Sequence, residues 1–440
     1  MNEVLIKALQ LILSLTILVI IHELGHFFFA RLFKTRVEKF YLFFNPWFSL
    51  FKKKIGETEY GIGWLPFGGY VKIAGMIDES LDKEQLKHPP QPYEFRSKKS
   101  WQRLLIMLGG ILFNIFLAFF IYSMVLFAWG EKYLPNSEVK YGIMTDSLGL
   151  SIGLKNGDYI LSLDNKPIDN FRKIVHDIVL NDVKTIQVKR NDSIININIP
   201  STIKANLIKN PNFIEVRIPF IIDGFIENSI GKKFGLQKDD RFVAINNEPA
   251  YFFDEVRDKL NKNKNKTAII KVLRGKDTVT LNIPIPDNGK LGIYPLSDLE
   301  RFFKLKEINY NFFESFIAGV GKTFDMLNSY IKQFKLLFSP ETRAYESIGG
   351  FITIGKIFPS EWDWYSFWSM TAFLSIILAF MNLLPIPALD GGFVLFLIFE
   401  IITGKKPSDK FLEYAQIVGM VILFSLLIYA NGNDIIKLFK

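Results

Sequence analysis

The sequence lacks cysteine and contains only four histidines among its 440 residues. Without cysteine the chain has no disulfide bonds and no thiolate metal site. Any imidazole-based metal site must therefore use the four histidines, and two of them, His22 and His26, lie four residues apart. That stretch is therefore the first candidate for a metal-binding site.

A folded module of concentrated positive charge is also missing. The formal net charge is +9, but the lysines and arginines flank apolar runs, so we expect no nucleic-acid partner. Hydrophobic residues make up 49% of the chain and the mean hydropathy is +0.19, a composition that predicts membrane spans together with soluble parts. The first apolar run has no small-residue cleavage signal, so we interpret it as a retained span.

Residues 22–26 read HExxH near the end of this first apolar run. On a helix, His22 and His26 lie on one face and can bind one Zn²⁺. Glu23 lies beside them and can take a proton from the attacking water. Ionisable residues inside an apolar segment are costly unless they are paired, wetted or metal-bound, which favours a functional site.

A second motif, NLLPIPALDGG, covers residues 382–392 in the last strongly apolar region. Asp390 is the only acidic residue between Ser366 and Phe399, and it is our candidate for the third metal ligand. It can also cap a helix after the break at the two prolines of the motif. Asn382 precedes the break and can hydrogen-bond the substrate backbone or a developing oxyanion, or cap backbone groups that the prolines free.

Residues 57–73 alternate in polarity and are rich in glycine and aromatic residues, which predicts β-strands with bends. An exposed edge there can bind a substrate in extended form, with Gly68, Gly69 and Tyr70 as candidate contacts. A plain hairpin at the membrane surface is the alternative. Residues 78–92 are charged and contain prolines; we predict a loop, with His88 at its surface.

Residues 131–295 are soluble in composition and contain an internal repeat, in which every matched pair of residues has the same spacing. Gly153 and Leu154 match Gly235 and Leu236, and Asp158 matches Asp240. Each copy has a polar turn, a short helix, a strand, a turn and a second helix, and then strand-like runs. Position 157 is glycine in the first copy and position 239 is aspartate in the second, which predicts an altered turn. His176, in the second helix of the first copy, is predicted to be a surface or structural residue.

The two motifs together resemble the site-2 protease family of intramembrane zinc metalloproteases, and the order of elements resembles its bacterial branch with tandem PDZ domains, the regulator of sigma-E type. This resemblance implies Zn²⁺ on His22, His26 and Asp390, with Glu23 as general base. Relatives often carry Gly-Pro-x-x-Asn in the second span. This chain has Gly110 and Asn114 without the proline, so Asn114 either forms an interhelical hydrogen bond or orients a zinc ligand or substrate.

The predicted fold is therefore a polytopic α-helical membrane protein with four spans, a membrane-associated β-sheet and two extracytoplasmic PDZ domains. The predicted segments are a first span with HExxH (4–33), a cytoplasmic loop with the β segment (34–100), a second span (101–129), two PDZ domains (136–215 and 216–298), amphipathic interfacial helices (306–358), a third span with the LDG motif (366–402) and a fourth span (411–430).

Basic residues set the expected orientation. Arg31, Lys34, Arg36 and Lys39 follow the first motif at once, which places the catalytic end at the cytoplasmic side and the repeats outside. The second motif then reaches the same depth from the opposite direction, as a shared metal requires. We expect the inner membrane as location.

The function predicted from these features is cleavage of single-span membrane proteins within or near the bilayer. By resemblance, the substrates are anti-sigma factors or signal-peptide remnants. The PDZ pair binds peptides or excludes bulky ectodomains. One alternative is a PDZ-based membrane scaffold or chaperone with a structural metal, which would have no need of Glu23. Another is a zinc transporter, which would need further ligands along a path.

Overall fold

A computed structural model describes residues 2–76 and 89–439. Most of the predicted 78–92 loop, including His88, lies outside the described residues. The chain divides into two compact units. The first comprises Met1–Gly130, Asn309–Lys335 and Tyr345–Lys440, and the second comprises Glu131–Ile308 and Leu336–Ala344.

Among the described residues, four helices of the first unit are long and apolar enough to cross a bilayer, which takes about 20 residues. Together with the sheets, they fit a polytopic membrane protein. The helices are α1 (Glu3–Leu32), α2 (Ser100–Trp129), α3 (Ser147–Ser151), α4 (Lys173–Leu180), α5 (Ile203–Lys209), α6 (Ile230–Lys233), α7 (Phe253–Lys262), α8 (Phe312–Leu336), α9 (Phe351–Lys356), α10 (Trp364–Leu383), α11 (Asp390–Thr403) and α12 (Asp409–Leu438). The four candidate spans are α1, α2, α10 and α12.

Short strands complete the fold in both units. They are β1 (Val37–Phe44), β2 (Phe51–Ile55), β3 (Thr58–Ile62), β4 (Leu65–Ile73), β5 (Glu131–Tyr133), β6 (Ile143–Thr145), β7 (Tyr159–Leu163), β8 (Lys166–Pro167), β9 (Thr185–Arg190), β10 (Ser193–Asn198), β11 (Ile214–Val216), β12 (Ile222–Phe225), β13 (Arg241–Ile245), β14 (Glu248–Pro249), β15 (Thr267–Arg274), β16 (Asp277–Pro284), β17 (Ile293–Pro295) and β18 (Lys306–Ile308).

The predicted third span is two helices, α10 and α11, separated by residues 384–389. Pro385 and Pro387 remove backbone donors there and prevent one continuous helix. Ala388 has a φ of 108°, which turns the chain sharply before Asp390 begins α11. Irregular backbone at membrane depth is tolerated where it is buried in protein or lines a cavity.

The region predicted to hold interfacial helices contains one long helix, α8, and the short α9. The buried residues of α8 are small or hydroxylated: Ser315, Gly319 and Thr323. A Cβ on Gly319 would lie 2.7 Å from the backbone nitrogen of Ser123, so glycine lets α8 approach α2 closely. The remaining surface of α8 carries exposed phenylalanines, as an amphipathic helix requires.

The sheet of the first unit has the strand order β2-β3-β1-β4. Strand β1 is parallel to β3 and antiparallel to β4, and β2 is antiparallel to β3. Strand β4 is therefore an edge strand, and it packs beside α1. A Cβ on Gly69 of β4 would lie 2.8 Å from Val19 Cγ1 and 3.6 Å from Glu23 Cγ, so the lack of a side chain permits this approach.

The second unit contains two four-stranded sheets of the same order, β10-β9-β7-β8 and β16-β15-β13-β14. Strands β7 and β13, and likewise β8 and β14, occupy equivalent positions in the two copies of the sequence repeat. Gly157 and Asp239 have φ values of 89° and 66°. The predicted alteration of this turn is therefore wrong, because aspartate is among the residues that tolerate the left-handed conformation.

A candidate metal centre at the junction of three helices

Three ligand atoms from two distant parts of the chain converge at the end of α1. His22 and His26 lie one helical turn apart, with their Nε2 atoms 3.2 Å from each other. Asp390, the first residue of α11, places Oδ2 3.1 Å from His22 Nε2 and 3.2 Å from His26 Nε2. Both histidines are buried, at 9% and 8% exposure. The structure thus brings together the three residues that the two motifs nominated.

These distances fit a shared cation. Zinc ligands of nitrogen and oxygen lie about 2.0–2.2 Å from the ion, so tetrahedral neighbours lie roughly 3.3–3.6 Å apart, close to the distances seen here. Asp390 Oδ2 is buried and receives no well-directed hydrogen bond from the described residues. This carboxylate oxygen and the two imidazole nitrogens face one another, and no polar hydrogen of the described residues satisfies the buried oxygen. Together the three atoms form a ligand set suited to zinc.

The remaining nitrogen of each imidazole is held by α2. His26 Nδ1 lies 2.8 Å from the carbonyl oxygen of Ile106, which accepts a hydrogen bond from Nδ1–H and leaves Nε2 free. His22 Nδ1 lies 3.2 Å from the Asn114 amide nitrogen, while Asn114 Oδ1 is buried without a partner among the described residues. If the amide oxygen and nitrogen of Asn114 exchange positions, Oδ1 accepts a hydrogen bond from His22 Nδ1–H. His22 is then held through Nδ1 in the same way as His26.

Glycines allow α2 to approach the histidines. A Cβ on Gly110 would lie 2.5 Å from His22 Cε1 and 2.6 Å from His26 Nε2, closer than any real side chain can come. Gly25 and Gly109 bring the two backbones into contact in the same way. Small residues allow such close packing of helices in membranes. Gly110 in particular leaves the space that the two imidazoles occupy.

The site opens into a cavity of about 910 Å³. Its lining includes both histidines, Asp390, Glu23, Asn382, Gln416 and residues 68–73 of the edge strand β4. Gly68, Gly69 and Tyr70 therefore line the same cavity as the candidate metal site. Gln416, which is 3% exposed and lies on α12, was not predicted, because a single glutamine in an apolar run gave no pattern.

Glu23 lies between the histidines and the sheet. Its carboxylate contacts the backbone of Val71 in β4, and its Cγ lies near Gly69. Asn382, near the end of α10, places its amide nitrogen 3.4 Å from His22 Nε2. The site therefore combines ligand atoms, a carboxylate that does not join them and an amide donor in one cavity.

Of the other two histidines, His176 is not part of this cluster. His176 lies on α4 in the second unit with 43% of its side chain exposed, and His88 is outside the described residues. Within the described part of the chain, His22, His26 and Asp390 form the one group of three or more acidic, histidine or cysteine residues that could hold a metal ion.

Comparison with known proteins assigns the family. Residues 10–426 match the profile of Peptidase family M50. Full-length relatives include a putative zinc metalloprotease of Vibrio cholerae, 28% identical with 100% of both chains covered, and one of Borreliella burgdorferi, 28% identical with 96% of this chain and 97% of the relative covered. The regulator of sigma E protease of Haemophilus influenzae is 27% identical, with 97% of this chain and 98% of the relative covered.

The family match spans nearly the whole chain and includes both segments that converge on the candidate metal centre. The relatives' names and the four apolar helices agree on a membrane-embedded metalloenzyme. The chain belongs to peptidase family M50, the site-2 protease family, and is a multi-pass membrane zinc metalloprotease.

Proposed function

We propose that this intramembrane protease binds zinc through His22, His26 and Asp390 and uses Glu23 as its general base. The observation that carries the proposal is the convergence of three ligand atoms within about 3 Å of one another in a cavity that Glu23 and an edge strand also line. A zinc ion bound there supplies a Lewis acid that polarises the scissile carbonyl and lowers the pKa of a water molecule.

Glu23 takes the proton of the attacking water and later gives a proton to the leaving amine. Its position supports both steps, because it follows His22 directly on α1, lines the cavity and lies between the histidines and the edge strand. A structural metal site has no use for a carboxylate that faces the ligands without joining them. This arrangement favours hydrolysis over a purely structural role.

The substrate lies along β4 in extended form. Strand β4 pairs with β1 on one side, and its other edge has no strand partner within the described chain. An added strand would satisfy free backbone groups of this edge. A substrate bound as this added strand would also expose its peptide bonds, which are shielded when the substrate is a helix. Gly68 and Gly69 carry no side chains that obstruct the cavity, and Tyr70 lines it beside them.

Two asparagines support the reaction from opposite sides. Asn382 directs its amide donor to the region beside His22, where the oxyanion of the tetrahedral intermediate forms. Asn114 orients His22 through the ring nitrogen that faces away from the other ligands. The former contacts the reacting atoms, and the latter is a positioning residue.

The substrates are single-span membrane proteins, of the anti-sigma-factor type or signal-peptide remnants. The sigma-E name of the Haemophilus influenzae relative supports the first class. The protein lies in the inner membrane with the metal centre toward the cytoplasm, in keeping with the lysines and arginines that follow α1. The two repeats of the second unit are extracytoplasmic PDZ domains, in keeping with their matching sheet order.

The test is cleavage of a tagged single-span substrate by purified wild-type protein and by Glu23→Gln, with zinc content measured on both. We expect both proteins to hold one zinc per chain and only the wild type to cleave. Equal cleavage by both would remove Glu23 from the mechanism. A wild type that holds zinc but cleaves neither an anti-sigma-like protein nor signal-peptide remnants would favour the scaffold alternative.

A further inference from the structure

The loop between β1 and β2 has an exposed aromatic tip. Trp47 is 91% exposed, and Phe48 and Phe51 are 56% and 57% exposed. Trp47 has a φ of 70°, a left-handed conformation that is uncommon for an aromatic residue. The backbone thus turns the indole away from the sheet, although burial of a tryptophan is strongly favourable in water.

Trp64 holds this tip in a defined shape. Its ring stacks on Trp47 and Phe48, with centroid distances of 6.1 and 5.8 Å. Its Nε1–H donates to the carbonyl oxygen of Pro46 at 2.9 Å. The tip is an ordered apolar platform, and such platforms on soluble surfaces mark contacts with a partner or a membrane.

Three consecutive lysines follow the tip. Lys52, Lys53 and Lys54 are all exposed, and they form most of β2, the edge of the sheet opposite β4. No ion pair to any of the three is found in the described ranges 2–76 and 89–439. Their ammonium groups are therefore available to an external anion.

The directions of the strands indicate how deep in the bilayer the aromatic tip and the three lysines lie. Gly69 lies beside Val19, well inside α1, and it pairs with Leu42 near the end of β1. Val37, at the start of β1, follows the end of α1 by five residues. Strand β1 therefore runs back along α1 toward the bilayer interior, and the aromatic tip continues in that direction.

Strand β2 then returns toward the end of α1. It is antiparallel to β3, which is parallel to β1. Phe51 is consequently at the deep end, and Lys52 to Lys54 approach the membrane surface in order. This sequence of apolar tip, then lysines, matches the change from acyl chains to headgroups.

We propose that Lys52, Lys53 and Lys54 form a binding site for anionic phospholipid headgroups, with the tip around Trp47 inserted among the adjoining acyl chains. This inference uses the membrane topology proposed above. Lysine stems can lie along apolar surface while their ammonium groups reach the headgroups. The contact fixes the outer edge of the sheet to the bilayer and so presents the opposite edge, β4, to the cavity.

The first experiment measures lipid selectivity with the full chain in phosphatidylcholine bilayers that contain spin-labelled phosphatidylglycerol or spin-labelled phosphatidylcholine. Each lysine near an anionic surface contributes about fivefold. Replacing all three lysines by glutamine should lower the preference for phosphatidylglycerol by fivefold or more. The matched control replaces Lys262, Lys264 and Lys266 of the second unit by glutamine, which removes the same charge. Equal effects of the two variants, or no effect, would overturn the headgroup site and leave the lysines as protection of a sheet edge.

The second experiment uses the absence of native cysteine, because one introduced cysteine is a unique labelling site. A spin label at Trp47→Cys should be relaxed by oxygen dissolved in the bilayer and not by a water-soluble nickel chelate. The control label at Ile194→Cys, on an exposed residue of β10, should show the opposite. Relaxation of the label at 47 by the chelate would place the tip in water and overturn the proposal. Neither experiment requires cleavage, so both outcomes are independent of the protease assay.

Discussion

Arg103, near the start of α2, forms an ion pair with Glu400, which lies ten residues after Asp390 on α11. Both side chains are largely shielded from solvent, and the Ser100 hydroxyl donates to the same carboxylate at 3.0 Å. On α11, Asp390 faces the two histidines of α1 and Glu400 faces Arg103 of α2, with Val394 and Leu397 buried between them along the helix. The ion pair therefore ties α2 to the helix that carries Asp390, the candidate third ligand.

Breaking this ion pair should weaken the metal centre from a distance. In Glu400→Leu the buried Arg103 charge loses its partner, at a cost of about 3–5 kcal/mol in the free energy of unfolding. The double variant Arg103→Leu/Glu400→Leu should recover most of that stability, and chelator competition should still find zinc binding about 2–30-fold weaker, the range for residues that act on a site without contacting it. The exposed Glu300→Leu, which removes an ion pair with Lys132, is the control. Unchanged zinc affinity in the double variant would limit the pair to a structural role.

Gly110→Ala should remove zinc binding and cleavage together. The added Cβ would lie within 2.6 Å of His26 Nε2 and 2.5 Å of His22 Cε1, so at least one imidazole must move. Gly321→Ala on α8 is the matched control, because a Cβ there meets no atom within 4 Å. The two variants are compared by their zinc content and by their cleavage of a model substrate. Full zinc loading of Gly110→Ala would mean that α2 can shift without disturbing the ligands.

Substitutions of Asn114 should separate its hydrogen bond from its volume. Asn114→Leu keeps the size of the side chain but offers no acceptor to His22, so zinc affinity should fall by about 10–100-fold. Asn114→Asp retains an acceptor oxygen and should bind zinc more tightly than the leucine variant. Chelator competition gives both affinities. If the two variants bind zinc equally, Asn114 serves helix packing and does not orient His22.

Two equivalent ion pairs should each stabilise one repeat of the second unit. Asp158, 1% exposed, accepts two hydrogen bonds of 2.7 Å from Arg190, and Asp240, fully buried, accepts bonds of 2.8 and 2.7 Å from Arg274. We expect Asp158→Asn or Asp240→Asn to lower the free energy of unfolding by about 1–3 kcal/mol, because charge-assisted hydrogen bonds are lost while the remaining arginine is partly exposed to solvent.

The control for both variants is Asp192→Asn, at an exposed ion pair with Lys189, for which we expect no measurable change in the free energy of unfolding. Thermal unfolding of the full chain measures all three. A small effect at only one buried aspartate would show that the repeats differ in how they are stabilised, despite their common topology.

The chemistry of the candidate site could be predicted from local spacing. His22 and His26 lie four residues apart, and helical geometry alone puts them on one face. Asp390 could be identified because an acidic residue in an apolar run is energetically costly and therefore indicates a functional site. The number of apolar helices followed from the same kind of rule, since a bilayer demands about 20 apolar residues for each crossing.

Other features depended on contacts between distant segments. In the sequence, Gly110 is one of many small residues, and its role is evident only when α2 packs against the histidines of α1. The role of Glu400 likewise depends on its ion pair with Arg103, which lies far earlier in the chain. Gln416 and the order of strands in the first sheet were equally beyond reach. Residue type and short-range period were enough to identify the groups that can bind a metal and the segments that can cross a membrane. Which atoms meet could be seen only in the folded chain, because the close approach of helices and an edge strand depends on the packing of the whole unit.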